Sequence, residues 1–298
     1  MADMLEFRQA EPLAAKGKTL VMAVLNCTPD SFSDGGRYPD PAAAAAAGLA
    51  MLAEGADILD VGGESTRPGA SPVAEAEEIG RIGPVLDILR PRTVKPISVD
   101  TYHLATAEAA LAKGADIIND ISGLRKLPPS GNFSDHRELA CLISRSRAHV
   151  ILTHMRGTPA EMQHYPDYGD VVAEVKAFLA ARTAFARASG IGRDRIWVDP
   201  GFGFGKNFAH NARLLAGLPK LAELGCLMVA GLSRKRMIAD ALRLPPAGRL
   251  EASLALAILA AANGARVVRV HDAAETARAT GMLDAIRREV PGFLIGPR

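Results

Sequence analysis

The chain has 298 residues, 48% of them apolar and 23% charged, with a formal net charge of +2. This composition suits a globular chain whose core needs no staples, and charge near balance with no basic run argues against a nucleic-acid partner. The three cysteines, Cys27, Cys141 and Cys226, are dispersed as reduced cytoplasmic thiols would be; no signal-peptide core opens the chain, and its most apolar run, Ser253 to Asn263, is about half a membrane span.

After an N-terminal extension over 1–18, short apolar runs alternate with longer helical patterns. A strand over Thr19–Asn26 precedes a helix over Pro41–Glu54, Asp57–Gly63 precedes Ser71–Leu89, and Pro96–Thr101 precedes Leu104–Lys113. Asp116–Ile121 leads to His136–Arg147, His149–Met155 to Gly169–Ser189, and Arg195–Gly201 to Phe208–Leu224. Cys226–Ser233 and Arg266–His271 lead to Arg249–Asn263 and Ala273–Arg288. Near-continuous apolar strands belong to parallel sheets covered by helices. Eight such units without a change of pattern predict a single-domain (β/α)8 TIM barrel over 19–298. Gly55, Gly114 and Gly264 each end a helix just before a strand, the position that favours left-handed backbone. Ser71-Pro72 reads as a cap and first turn. Two segments exceed ordinary loop length, 122–135 and 157–168; the loop Gly123–His136 in the first has three readings, a lid, a partner surface or idle elaboration, of which the last is the simplest.

Catalytic groups of such barrels come from the C-terminal ends of the strands. Here those ends are polar throughout: Asn26, the run Gly62 to Gly69, Asp100-Thr101, Asn119-Asp120, Thr153 to Arg156, Asp199, Ser233-Arg234-Lys235, and Arg269 with His271. Asp100, Asn119, Asp199 and Lys235 suit a heterocycle that shows both donors and acceptors. Asn26, Arg67, Arg269 and His271 suit an anion, since Arg grips phosphate with a planar fork and an Asn oxygen can ligate Mg²⁺. The run Gly201 to Lys206 fits neither a P-loop nor a dinucleotide fingerprint and reads as a compact loop, with Phe204 placed to stack on a ring. His154 and His271 lack zinc-ligand spacing, and no nucleophile elbow is present.

Taken together, LNCTPDSFSDGG (25–36), DVGGESTRPGA (60–70), ISVDT (97–101), IINDI (117–121), DPGFGFGKN (199–207), GLSRKRMI (231–238) and RVHDAAET (269–276) resemble the dihydropteroate synthases of folate biosynthesis. The resemblance runs from Leu20 to Arg288. It implies a pterin site of Asp100, Asn119, Asp199, Lys235 and Phe204, and a 4-aminobenzoate site of Phe32, Thr66, Arg67, Ser233 and Lys235. It implies a diphosphate clamp of Asn26, Arg67, Arg269 and His271, with Mg²⁺ on Asn26. Asp34, Lys235 and Asp100 would be catalytic, with loops around Phe32–Asp34 and Thr66–Arg67 closing over the reacting atoms. One departure is Thr153, where many relatives carry Met.

The implied chemistry is departure of pyrophosphate to leave a pterin cation, then attack by the amine of 4-aminobenzoate. No protein nucleophile is needed, in keeping with the missing elbow. A pterin-dependent methyltransferase of similar barrel would leave the Arg269/His271 pair and the 65–68 loop without a purpose. A non-catalytic pterin-binding paralogue is the other alternative. The family also implies a homodimer, and the helix over Arg249–Asn263, apolar nearly all round, has a second face to cover.

Overall fold

The computed structural model describes residues 17–28, 40–65, 72–127, 133–162 and 167–290. The elements run β1 (Leu20–Asn26), α1 (Pro41–Ala53), β2 (Ile58–Gly62), α2 (Glu75–Leu89), β3 (Ile97–Asp100), α3 (Leu104–Ala112) and β4 (Ile117–Asp120). A two-stranded insertion, β5 (Arg125–Lys126) with β6 (Ser134–Asp135), precedes α4 (Arg137–Arg145) and β7 (His149–Thr153). There follow α5 (Val171–Ala188), β8 (Ile196–Asp199), α6 (Phe208–Ala216), α7 (Leu218–Ala222), β9 (Leu227–Ala230), α8 (Arg236–Leu242), α9 (Leu250–Ala262), β10 (Val267–Val270) and α10 (Ala273–Glu289).

Eight strands close in the order β1-β10-β9-β8-β7-β4-β3-β2, every neighbour parallel. The expected TIM barrel is therefore the fold. Side chains of a strand alternate between its faces. One set, including Leu59, Val61, Ile97 and Val99, packs outward on Ile82, Val85, Leu86 and Leu89 of α2. The other set fills the barrel: Leu20, Met22, Ile58, Ile117, Ile151, Trp197, Val229 and Val267 form one buried cluster. This apolar plug makes the lumen a core rather than a pore. Two residues further along, the same inward parity carries Val24 on β1 and Asp60, Asn119, Thr153, Asp199, Gly231 and Arg269 on or just past the other six strands of the plug. An apolar floor thus supports a polar layer at the C-terminal mouth.

Several local expectations change. Helix α2 starts at Glu75, with Ala74 at its cap and no side-chain cap bond, so Ser71-Pro72 does not open it. Ser71 itself lies outside the described residues. The single helix expected over Phe208–Leu224 breaks at Gly217 into α6 and α7, with Pro219 in the first turn of the second. Helix α8 was not expected; it follows the Ser233-Arg234-Lys235 turn and ends at Arg243 in left-handed conformation. The three junction glycines do take positive φ: +117° at Gly55, +86° at Gly114 and +106° at Gly264. The described ends of the long segment after β4 are anchored. Arg182 on α5 donates to Gly123 O, Leu124 O and Asp135 Oδ1, and Arg125 lies over the rings of Phe133 and Phe178. Among the described residues no helix is long and apolar enough to cross a membrane.

Candidate active site

Strand register brings the first group of mouth residues together. Asn26 pairs with Gly62, Gly62 with Asp100, and Asp100 with Asn119, a continuous row across β1 to β4. Opposite, Thr153 pairs with Asp199. Arg269 on β10 reaches across the mouth. Its Nε donates to Asp60 Oδ2 at 2.6 Å and its Nη2 to Asp100 Oδ2 at 2.7 Å. Asn119 Nδ2 donates to the same Asp60 oxygen at 3.1 Å. One guanidinium thus serves two carboxylates. Burial pushes the Asp100 carboxyl up to about 7; Arg269 opposes the rise and the Asp60 charge adds to it. Burial works against the Arg269 charge, but Asp60 and Asp100 together hold its proton more tightly than usual. The second carboxylate oxygens, Asp60 Oδ1 and Asp100 Oδ1, are buried acceptors without a hydrogen bond among the described residues.

The loop after β8 completes the other wall. Gly201 N donates to Asp199 Oδ1 at 2.7 Å and so sets the carboxylate's rotation. Gly201 has φ +68°, and a Cβ there would lie 1.9 Å from His154 O, so only glycine fits. Lys235 Nζ donates to Phe202 O and sits 4.8 Å from the Phe204 ring. Burial lowers the Lys235 ammonium to about 8 against the pull of Asp199, while burial raises Asp199 against the pull of Lys235. The two cationic residues share one edge: a Cβ on Gly231 would lie 3.7 Å from Lys235 Nζ and 3.8 Å from Arg269 Cβ. Beside them, His271 donates its backbone N–H to Ser233 Oγ at 3.2 Å, and its Nδ1 is 3.1 Å from the same oxygen. Arg234 between Ser233 and Lys235 has φ +56°, a conformation uncommon outside glycine. An ion pair to Asp272 and a hydrogen bond from its N–H to Ser253 Oγ hold it there.

A family model described as "Pterin binding enzyme" matches residues 22–271. The dihydropteroate synthase of Escherichia coli K12 is 42% identical over 265 residues, 89% of this chain and 90% of that one. A structure of Xanthomonas albilineans dihydropteroate synthase with 4-aminobenzoic acid superposes with a TM-score of 0.82 at 44% identity, covering 93% of this chain and 95% of the other. The same organism's enzyme in complex with 7,8-dihydropteroate gives 0.79 at 41%, covering 93% and 96%. The chain belongs to the dihydropteroate synthase family.

As a dihydropteroate synthase, a transferase, it has the expected pterin residues in one layer: Asp100, Asn119, Asp199 and Lys235, with Phe204 beneath the Lys235 ammonium. Asn26, Ser233, Arg269 and His271 stand on the same mouth. Phe32, Asp34, Thr66 and Arg67 lie outside the described residues. Two donors of Arg269 hold Asp60 and Asp100, contacts the sequence did not show. Asp60 was missed in the sequence, although its inward parity two residues past Ile58 was available as a signal. Also missed was the network of Glu64, Glu78, Tyr102 and His103. Glu64 accepts from Tyr102 Oη at 2.8 Å and from Val73 N at 3.3 Å; Glu78 accepts from Thr101 Oγ1 and lies 3.0 Å from His103 Nδ1. Burial alone would lower His103, but its bond to Glu78 and the charges of Glu78 and Glu64 raise it overall. Asp120, grouped with Asn119 on sequence, instead accepts the N–H groups of Ser122 and Leu124 and shapes the loop.

Proposed function

We propose that this mouth joins 6-hydroxymethyl-7,8-dihydropterin pyrophosphate to 4-aminobenzoate, giving 7,8-dihydropteroate and pyrophosphate. The observation that carries the reading is the single polar layer above the apolar plug, with three carboxylates (Asp60, Asp100 and Asp199), the Asn119 amide and the cations Lys235 and Arg269 facing one opening. Asp199 and Asn119 offer a flat ring an acceptor pair and a two-way amide. Arg269, His271 and Arg67 take the diphosphate at the adjoining edge, and Ser233 and Thr66 take 4-aminobenzoate. Cationic groups beside a departing diphosphate stabilise the charge it gains. The carbon–oxygen bond breaks first; the pterin methylene carries the positive charge, stabilised by its own ring and by Asp34. The amine of 4-aminobenzoate then bonds to that carbon and loses a proton. Lys235, with its ammonium lowered to about 8, stands beside both substrates.

Asn26 presents one half-buried amide oxygen at the end of β1, about which a Cβ on Gly62 would lie 4.0 Å away. A single neutral oxygen fits Mg²⁺ that arrives with a diphosphate, since Mg²⁺ keeps waters and phosphate oxygens around few protein ligands. When bound, the ion would neutralise charge on the leaving diphosphate. The dimer of the proposal uses α9, whose Leu259 is 38% exposed, and α10, whose Met282 is 63% exposed. The assignment to reduced cytoplasmic surroundings rests on the free Cys27, Cys141 and Cys226. Formation of 7,8-dihydropteroate with one equivalent of pyrophosphate when both substrates are supplied tests the reading; absence of dihydropteroate in the presence of both substrates overturns it.

A further inference from the structure

Lys206 is a buried amine that the chemistry above does not use, and burial lowers its ammonium well below the ordinary lysine value. It is 3% exposed, and its Nζ meets three atoms: Gly201 O at 2.8 Å, Phe204 O at 3.1 Å and His154 Nδ1 at 2.9 Å. The ring of Tyr168 lies 5.9 Å away on a further side. Arg156, Asp199 and Lys235 are the other charged groups that act on it. Among the described residues no carboxylate lies within hydrogen-bond distance of it.

The two carbonyls belong to the ends of the loop that builds one wall of the mouth. That loop runs through Gly201, Gly203 and Gly205, all with positive φ, and forms no ladder of its own. A backbone of this kind depends on side chains to satisfy its polar groups. From Gly201 N it aims Asp199, from Phe202 O it holds Lys235, and from Phe204 it supplies the ring under the Lys235 ammonium. His154, in turn, is wedged against Tyr168 and Phe178 at the end of β7. We infer that Lys206 is a positioning residue for the pterin half of the site: it ties both ends of the 201–205 loop to β7 through His154 and thereby sets Asp199 and Lys235. Asn211, which accepts from Gly203 N at 2.9 Å, holds the same loop from the α6 side.

The inference rests on the proposed reaction, so the wild-type protein is assayed first for product from both substrates. If it makes none, the reaction is wrong, and the role of Lys206 is then read from binding of pterin alone by calorimetry. Lys206→Met keeps the length and removes all three bonds. The expected result is a rise of about tenfold or more in KM for the pterin substrate, which meets both Asp199 and Lys235, with a clearly smaller rise in KM for 4-aminobenzoate, which meets Lys235 alone of the two. The control is Leu283→Ala, in the buried cluster with Ala261 and Ala262 on α9. It lowers Tm comparably and leaves both KM values in place. If Lys206→Met is recovered unfolded, His154→Leu, which removes one of the three acceptors, is read in the same way. Equal movement of the two KM values, movement of neither, or the same split in Leu283→Ala overturns the inference.

Discussion

Replacing Asp60 by alanine probes the electrostatics of the mouth directly. Asp60 is fully buried and its Oδ2 accepts from both Arg269 and Asn119. Breaking a buried pair by deleting one partner leaves an uncompensated charge and typically costs about 3–5 kcal/mol. Arg269 keeps Asp100 as a partner and its side chain is 21% exposed, which places the expected loss near the lower end, about 3 kcal/mol. Asp60→Asn keeps an acceptor for Arg269 Nε and removes the charge, so its loss is smaller, on the order of 1–2 kcal/mol. The removed charge also relieves Asp100, whose carboxyl Asp60 helps to raise. Asp60→Asn is therefore expected to move the Asp100 titration downward in pH. Urea unfolding measures the first two quantities, and carbon-detected titration of the Asp100 carboxyl measures the third. A loss in Asp60→Ala below about 0.5 kcal/mol, the size of an ordinary surface change, refutes the argument.

Asp100 makes stability depend on pH. Its folded value of about 7 lies above the ordinary 3.8, so its contribution is complete below about pH 4 and lost as pH rises through about 7. The span corresponds to on the order of 4 kcal/mol; Asp100→Asn should flatten the urea-unfolding profile over that range, and an unchanged slope counts against it. Gly201→Ala must move the backbone at His154 O and hold alanine at φ +68°, and it is expected to lose about 3 kcal/mol or more with a drop in pterin affinity. Asp34→Ala should leave pterin binding intact and lower kcat strongly; equal loss of binding and turnover contradicts the role proposed for it. Chelation of Mg²⁺ should suppress turnover and added Mg²⁺ restore it, while binding of a pterin without diphosphate, followed by calorimetry, stays constant.

Much of the architecture was legible because it follows from local rules. Alternation of apolar strands with helical patterns, and glycine at 55, 114 and 264, place each β/α unit without reference to any other. The motif strings, which resemble those of the dihydropteroate synthases, placed Asp100, Asn119, Asp199, Lys235, Arg269 and His271 on strand ends. Helix α8, the break at Gly217 and the start of α2 at Glu75 were not legible, since each depends on what the segment packs against. The same holds within the site. Strand parity puts Asp60 and Arg269 on inward faces, but only closure of β10 onto β1 brings residues 209 positions apart within 2.6 Å. Sequence determined which groups face the lumen, because alternation along a strand is a property of the strand itself. Tertiary structure alone decided which of them share a proton, a charge or an acceptor, because those energies depend on distances that no single strand contains.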